Sequence, residues 1–170
     1  MSQIEIKTTY VQVPNQDLQI DAYLAQPAKE GKFAAVMVFQ EIFGVNANIR
    51  EITELIAQQG YIAIAPAMYQ RIAPGFTRDF SPKDLAYSPE AYQIALQYYQ
   101  QVQYQEIFSD IQATIAYLKM LPNVKADAIG CIGFCFGGHI SYMAATLPDL
   151  KATASFYGGV KGSQCMMSSF

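Results

Sequence analysis

Gly130-Cys131-Ile132-Gly133-Phe134-Cys135-Phe136-Gly137-Gly138 is the stretch that decides the fold. An apolar run, Ala128 to Ile132, leads into it, and a helix-like run, His139 to Leu147, leads out. Gly-x-Cys-x-Gly between a strand and a helix is the pattern of a nucleophile elbow, with cysteine in the nucleophile's place. Geometry demands the glycines. The nucleophile sits on a sharp, strained turn, and a side chain at Gly133 or Gly137 would run into the neighbouring strand or helix. The turn sets the sulfur of Cys135 at a helix N-terminus, whose dipole favours an anion. It also aims the backbone N–H of Phe136 at the place where an oxyanion would form. The bland alternative is a buried structural cysteine in an ordinary strand-to-helix turn, and the rest of the chain has to separate the two.

The chain has 170 residues, room for one domain with a sizeable core. It is 52% hydrophobic and 15% charged, a low charged share for a soluble domain. A net charge of −3 without a basic stripe gives no reason to expect a nucleic-acid or anionic-membrane partner. Residues 1–20 carry Glu5 and Asp17 and no apolar stretch of the signal-peptide kind. No apolar run approaches the ~18 residues that a membrane span needs. The cysteines are Cys131, Cys135 and Cys165, an odd set that argues against a disulfide framework and for a reducing cytoplasm. Cys131 and Cys135 have no second ligand pair, so no metal site is expected. His139 is the only histidine in the sequence.

Outward from the elbow, period-two alternation over residues 4–13 and 18–24, separated by Pro14-Asn15-Gln16-Asp17, predicts an antiparallel hairpin. Phe33 to Phe39 is a continuous apolar run, as in strands buried on both faces. A loop, Gln40 to Asn46, follows it. Ile49, Ile52, Leu55 and Ile56 recur at helical spacing, and Gly60 ends that helix. Tyr61 to Ala65 reads as the next buried strand, stopped by Pro66. Strand, helix, strand with short connections implies a parallel sheet. Residues 67–88 read as an irregular excursion with a helical turn at Ser81-Pro82-Lys83-Asp84. Ser88-Pro89-Glu90 is a helix start, and that Gln- and Tyr-rich helix is expected to run to about Tyr104 as a solvated, lid-like element. Ile107, Ile111, Ile115 and Leu118 form the stripe of a further helix ending at Pro122. Ala152 to Tyr157 is another apolar strand. After Gly159 neither period persists, and no repeat or second domain is visible.

Five collinear stretches resemble the dienelactone hydrolase family (carboxymethylenebutenolidases) of the α/β-hydrolases. They are Gln40-Glu41-Ile42-Phe43-Gly44-Val45-Asn46, Gly60 to Pro66, Tyr69-Gln70-Arg71-Ile72-Ala73-Pro74-Gly75, the Gly-Phe-Cys-Phe-Gly-Gly elbow, and Phe156-Tyr157-Gly158-Gly159. Together they cover most of residues 10–159. The resemblance implies an α/β-hydrolase fold: a mostly parallel sheet with helices on both faces. It implies Cys135 as nucleophile and Glu41 as the glutamate that holds the thiol in the empty site and releases it to substrate. Ile42 and Phe136 match the two backbone N–H donors of the oxyanion hole, and Arg71 an arginine that grips the substrate's carboxylate. The implied reaction is hydrolysis of a small carboxylate-bearing lactone or ester without metal or organic cofactor. Residue chemistry agrees: Glu41 follows a strand end, where such sheets place their sites, and a guanidinium suits a bidentate carboxylate contact.

The chain also departs from the pattern. Ala67 stands where the family has an aspartate. The family's triad Asp and His come after two further strands, which this sequence does not reach, so residues 1–170 are expected to form one incomplete domain with an atypical tail at 160–170. A frameshifted or prematurely stopped end would account for that tail. Asp149 is expected to lie far from the thiol, and His139 to be a packed helix-face residue. Loss of the base predicts impaired turnover. The strand Ala152–Tyr157 would then be an apolar edge inviting self-association unless residues 160–170 cover it. Two other readings stay open: a non-catalytic carboxylate-binding module, and a thiol sensor using Cys131 and Cys135.

Overall fold

The computed structural model describes residues 4–75 and 89–158. In chain order its elements are β1 (Ile6–Asn15), β2 (Leu18–Pro27), β3 (Phe33–Phe39), α1 (Ala47–Gln58), β4 (Ile62–Pro66), α2 (Pro89–Gln101), α3 (Tyr104–Met120), β5 (Val124–Phe134), α4 (Phe136–Ala144) and β6 (Leu150–Phe156). The strands form one six-stranded sheet in the order β1-β2-β4-β3-β5-β6. β1 and β2 pair antiparallel, as do β2 and β4, while β3 pairs parallel with β4 and β5, and β5 with β6.

Alternation along the strands builds a core on each face. Ala35, Met37 and Phe39 of β3 point into a cluster with Ile107, Ile111, Ile115 and Leu118 of α3 and Ile140 and Ala144 of α4. Val38, Ala63 and Ala65 point the other way, onto Ile49, Ile52 and Ile56 of α1. Helices thus cover both faces, as the α/β-hydrolase reading requires. α1 starts where the Asn46 side chain accepts a hydrogen bond from the Ile49 N–H at 3.1 Å. It stops at Gly60, whose φ of 93° a side chain would resist.

Several boundaries differ from the sequence reading. The hairpin turn is only Gln16-Asp17, with Gln16 at φ 55°. Pro14 and Asn15 stay in β1, which is tolerated because β1 is an edge strand. The α2 helix ends at Gln101 rather than near Tyr104. Gln103 turns extended at φ −103°, ψ 115°, and Tyr104 opens α3 instead. Nor is α2 solvated all round, as its composition suggested: Ala91 and Ala95 are buried, and Tyr98 and Tyr99 pack onto the core. Its glutamines face water, which is why composition alone read it as solvated. The turn expected at residues 81–84, the Ser88 cap and the 160–170 tail lie outside the described residues. No helix among them is long and apolar enough to cross a membrane. β6 is the last strand of the described sheet, and most of its residues are exposed.

Candidate active site

The carboxyl ends of β3, β4, β5 and β6 meet at one rim of the sheet, the place where parallel α/β sheets hold ligands. β5 ends at Phe134, and Cys135 follows at φ 54°, ψ −116°, a left-handed conformation that is strained for any residue with a Cβ. Two hydrogen bonds hold it there. Its N–H donates to the Phe156 carbonyl at 3.0 Å, and its carbonyl accepts from the His139 N–H at 3.1 Å. The glycines allow the bend. A Cβ on Gly133 would sit 2.0 Å from the Gly137 carbonyl oxygen, one on Gly137 2.2 Å from that of Phe39, and one on Gly138 2.4 Å from that of Phe156. Strand, elbow helix and both flanking strands are therefore in backbone contact. Cys135 itself is half-buried. Phe136 is the first residue of α4, and its N–H belongs to the helix-start donors that no carbonyl of the same helix can take.

Glu41 lies just past β3, in a tight bend closed by a bridge to Gly44, which has φ 77°. Its Oε1 accepts from the Tyr157 hydroxyl at 3.4 Å. Ile42 packs its side chain on the core beside it. Cys135, Glu41, Ile42 and Phe136 thus all stand at the ends of β3 and β5, which are neighbouring strands.

Arg71 has a partner within the chain that the sequence did not announce. Its Nη2 donates to Oδ1 of Asp110 at 2.8 Å and its Nε to Oδ2 at 3.4 Å. Asp110 is buried in α3 and also accepts from the Asn15 side-chain amide at 2.7 Å. The guanidinium is held in its charged form above the usual arginine range, chiefly by the hydrogen bond to Asp110. Arg71 is therefore tied to a partner within the chain, with part of its side chain still open to solvent.

Sequence reasoning passed over an aromatic group around the elbow. The Tyr69 ring lies nearly parallel to that of Phe136 at 5.6 Å, and Tyr99 meets Phe136 edge-on at 5.2 Å. Tyr104 packs on the His139 ring at 5.0 Å. Burial pushes the Tyr69 phenol far up, with the neighbouring Tyr99 and Cys135 adding to the effect. Tyr104 is pushed up to about 12, first by burial and then by Tyr99. Contact, not spacing, makes this group, and a tyrosine-rich helix next to an elbow was its one visible signal. His139 is packed against Tyr104, and Asp149 forms an ion pair with Lys119 beyond the far end of α4. Cys131 is buried in β5, and burial pushes its thiol up.

A sequence profile of the Dienelactone hydrolase family matches residues 20–168. The chain belongs to the dienelactone hydrolase family. It is 54% identical over 155 residues to a Synechocystis sp. protein named "Putative carboxymethylenebutenolidase", covering 91% of this chain and 60% of that protein. It is 31% identical over 137 residues to the carboxymethylenebutenolidase of Pseudomonas putida, covering 81% of this chain and 55% of the enzyme. A crystal structure from Klebsiella pneumoniae, described as a "Putative Dienelactone Hydrolase", superposes with a TM-score of 0.76 at 29% identity, covering 98% of this chain and 65% of that one. This dienelactone hydrolase family member therefore spans roughly half to three-fifths of the curated relatives it matches.

Proposed function

We propose that the chain carries the acylation half of a cysteine-dependent ester or lactone hydrolase, with Cys135 as nucleophile. The observation that carries this reading is the half-buried Cys135 held at φ 54° at the start of α4, a backbone conformation strained for a residue with a Cβ. The Sγ thiolate attacks the carbonyl carbon, and the negative charge moves onto the carbonyl oxygen. The N–H groups of Ile42 and Phe136 stabilise it there. The carbonyl reforms as the C–O bond to the leaving oxygen breaks. An acyl-cysteine remains, and the departing alkoxide takes a proton from water to leave as the alcohol or, for a lactone, as the hydroxyl of the opened ring. Water then cleaves the thioester to the acid and the thiol. No metal or organic cofactor enters this scheme. Glu41, held by Tyr157, is the group that checks the thiol until substrate arrives.

Deacylation is the slow half. With His139 against Tyr104 and Asp149 against Lys119, neither stands ready to activate water among the described residues. Arg71 is the proposed cation for a substrate carboxylate. Asp110 takes Nε and one Nη2 hydrogen and so fixes the guanidinium, and among the described residues no hydrogen bond takes Nη1. A carboxylate-binding module without catalysis is the second reading, favoured by that preset arginine. A thiol sensor is less well supported, since Cys131 is buried and its thiol pushed up. Free Cys131 and Cys135 fit a reducing cytoplasm.

Mixing the chain with p-nitrophenyl acetate tests the reading. A burst of p-nitrophenol followed by slow release, lost in Cys135→Ala, is expected. Equal release from wild type and Cys135→Ala would remove Cys135 from the chemistry. Saturable binding of a small dicarboxylate with no burst would favour the binding module.

A further inference from the structure

The two proposed oxyanion donors sit on different elements, Ile42 after β3 and Phe136 at the start of α4, and an oxyanion hole works only if their separation is fixed. One turn touches both arms. After β4, the Ala67 N–H is anchored on the Asp21 carbonyl at 2.8 Å. The next N–H, of Met68, donates to Gln40 Oε1 at 3.0 Å. Gln40 is fully buried and directly precedes Glu41 and Ile42. Its Nε2 finds no hydrogen-bond partner among the described residues, a cost that calls for a reason. The following residue, Tyr69, is 1% exposed and stacks on Phe136 at 5.6 Å with 16° between the ring planes. Tyr99 closes the other side of Phe136 at 75°. Two aromatic contacts at different angles leave the Phe136 ring little freedom, and with it the backbone that bears its N–H. Gly137 abuts the Phe39 and Gln40 carbonyls, so the two arms also meet directly.

We propose that Tyr69 and Gln40 are positioning residues of the oxyanion hole, Tyr69 fixing the Phe136 arm and Gln40 the Ile42 arm, with the Met68-Tyr69 turn setting the distance between them. This rests on the reading of Cys135 as nucleophile. Neither side chain need touch substrate. The Tyr69 ring matters for its shape, and the Gln40 amide for its bond to Met68.

Two reactions of the same thiol separate positioning from simple structural support. Acylation by p-nitrophenyl acetate develops an oxyanion. Alkylation by iodoacetamide displaces iodide at a saturated carbon and develops none, so it reports the thiol alone. Rapid-mixing rates are measured for wild type, Tyr69→Leu, Tyr69→Phe and Gln40→Met. Tyr69→Leu and Gln40→Met are expected to acylate roughly ten- to a hundredfold more slowly while alkylation stays within about twofold. Tyr69→Phe, which keeps the ring, is expected to restore most of the loss. Should Tyr69→Leu not fold, Gln40→Met carries the same comparison. Unchanged acylation in the variants would overturn the proposal, as would alkylation that falls in step with acylation, or a Tyr69→Phe as slow as Tyr69→Leu. A wild type without any burst would instead overturn the nucleophile reading beneath it.

Discussion

At Cys135 the backbone holds a left-handed conformation that costs a non-glycine residue on the order of 1–3 kcal/mol. That strain has a measurable counterpart. Cys135→Gly should be about 1 kcal/mol more stable than Cys135→Ala in urea unfolding, because glycine accepts φ 54° without strain. Equal stabilities would mean the bend stores nothing. Gly133→Ala and Gly137→Ala should each destabilise by about 3 kcal/mol or more, since their Cβ atoms would overlap backbone that cannot yield. Thermal melts with native-like stability in either would contradict the packing. The elbow was legible residue by residue because sterics leaves glycine no substitute there. Arg71 was legible only as a residue type. Its pairing with Asp110 depends on a contact 39 positions away along the chain, which no local pattern announces.

Among the elements, the strands and α1 could be read from periodicity and caps, and the structure moves their ends by a few residues. α2 could not. Its glutamines and tyrosines look solvated in sequence, yet Tyr98 and Tyr99 turn inward because the face that meets Phe136 is built by three separate elements. The tie that Asp110 makes from α3 to Asn15 of β1 and to Arg71 beyond β4 was invisible for the same reason. It carries a prediction. Arg71→Ala leaves a buried carboxylate short of its cation and should destabilise by about 3 kcal/mol, and adding Asp110→Asn should recover part of that. Additive losses in the double-mutant cycle would show that the pair contributes nothing as a pair. With Asp110→Asn as background, Arg71→Gln should still raise KM for carboxylate-bearing esters more than for neutral ones. Parallel changes for both substrates would take Arg71 out of substrate binding.

For the whole molecule, the buried proton-bearing groups set the response to base. Tyr69, Tyr104, Tyr23, Tyr117 and Cys131 all have folded-state pKa values raised above their ordinary ones, with burial the largest cause in each. Their stabilising effect is complete below the ordinary values and is lost as pH rises toward the folded ones, which for Tyr104 is about 12. Melting temperatures should therefore fall steadily above about pH 9, the ordinary range of thiols and the start of that of phenols. A flat profile to pH 11 would contradict the burial of these groups. Among the described residues β6 has no further strand beside it, and Phe156 is 45% exposed, so we propose that this edge pairs with a second copy unless residues 160–170 cover it. A single monomer mass by light scattering across concentrations would count against it. The central claim, however, concerns one sulfur atom. After brief reaction with p-nitrophenyl acetate and acid quench, peptide mapping by mass spectrometry should find a single acetyl group on Cys135 and none on Cys131. Acetylation spread over lysines and tyrosines, with Cys135 unmodified, would contradict the account.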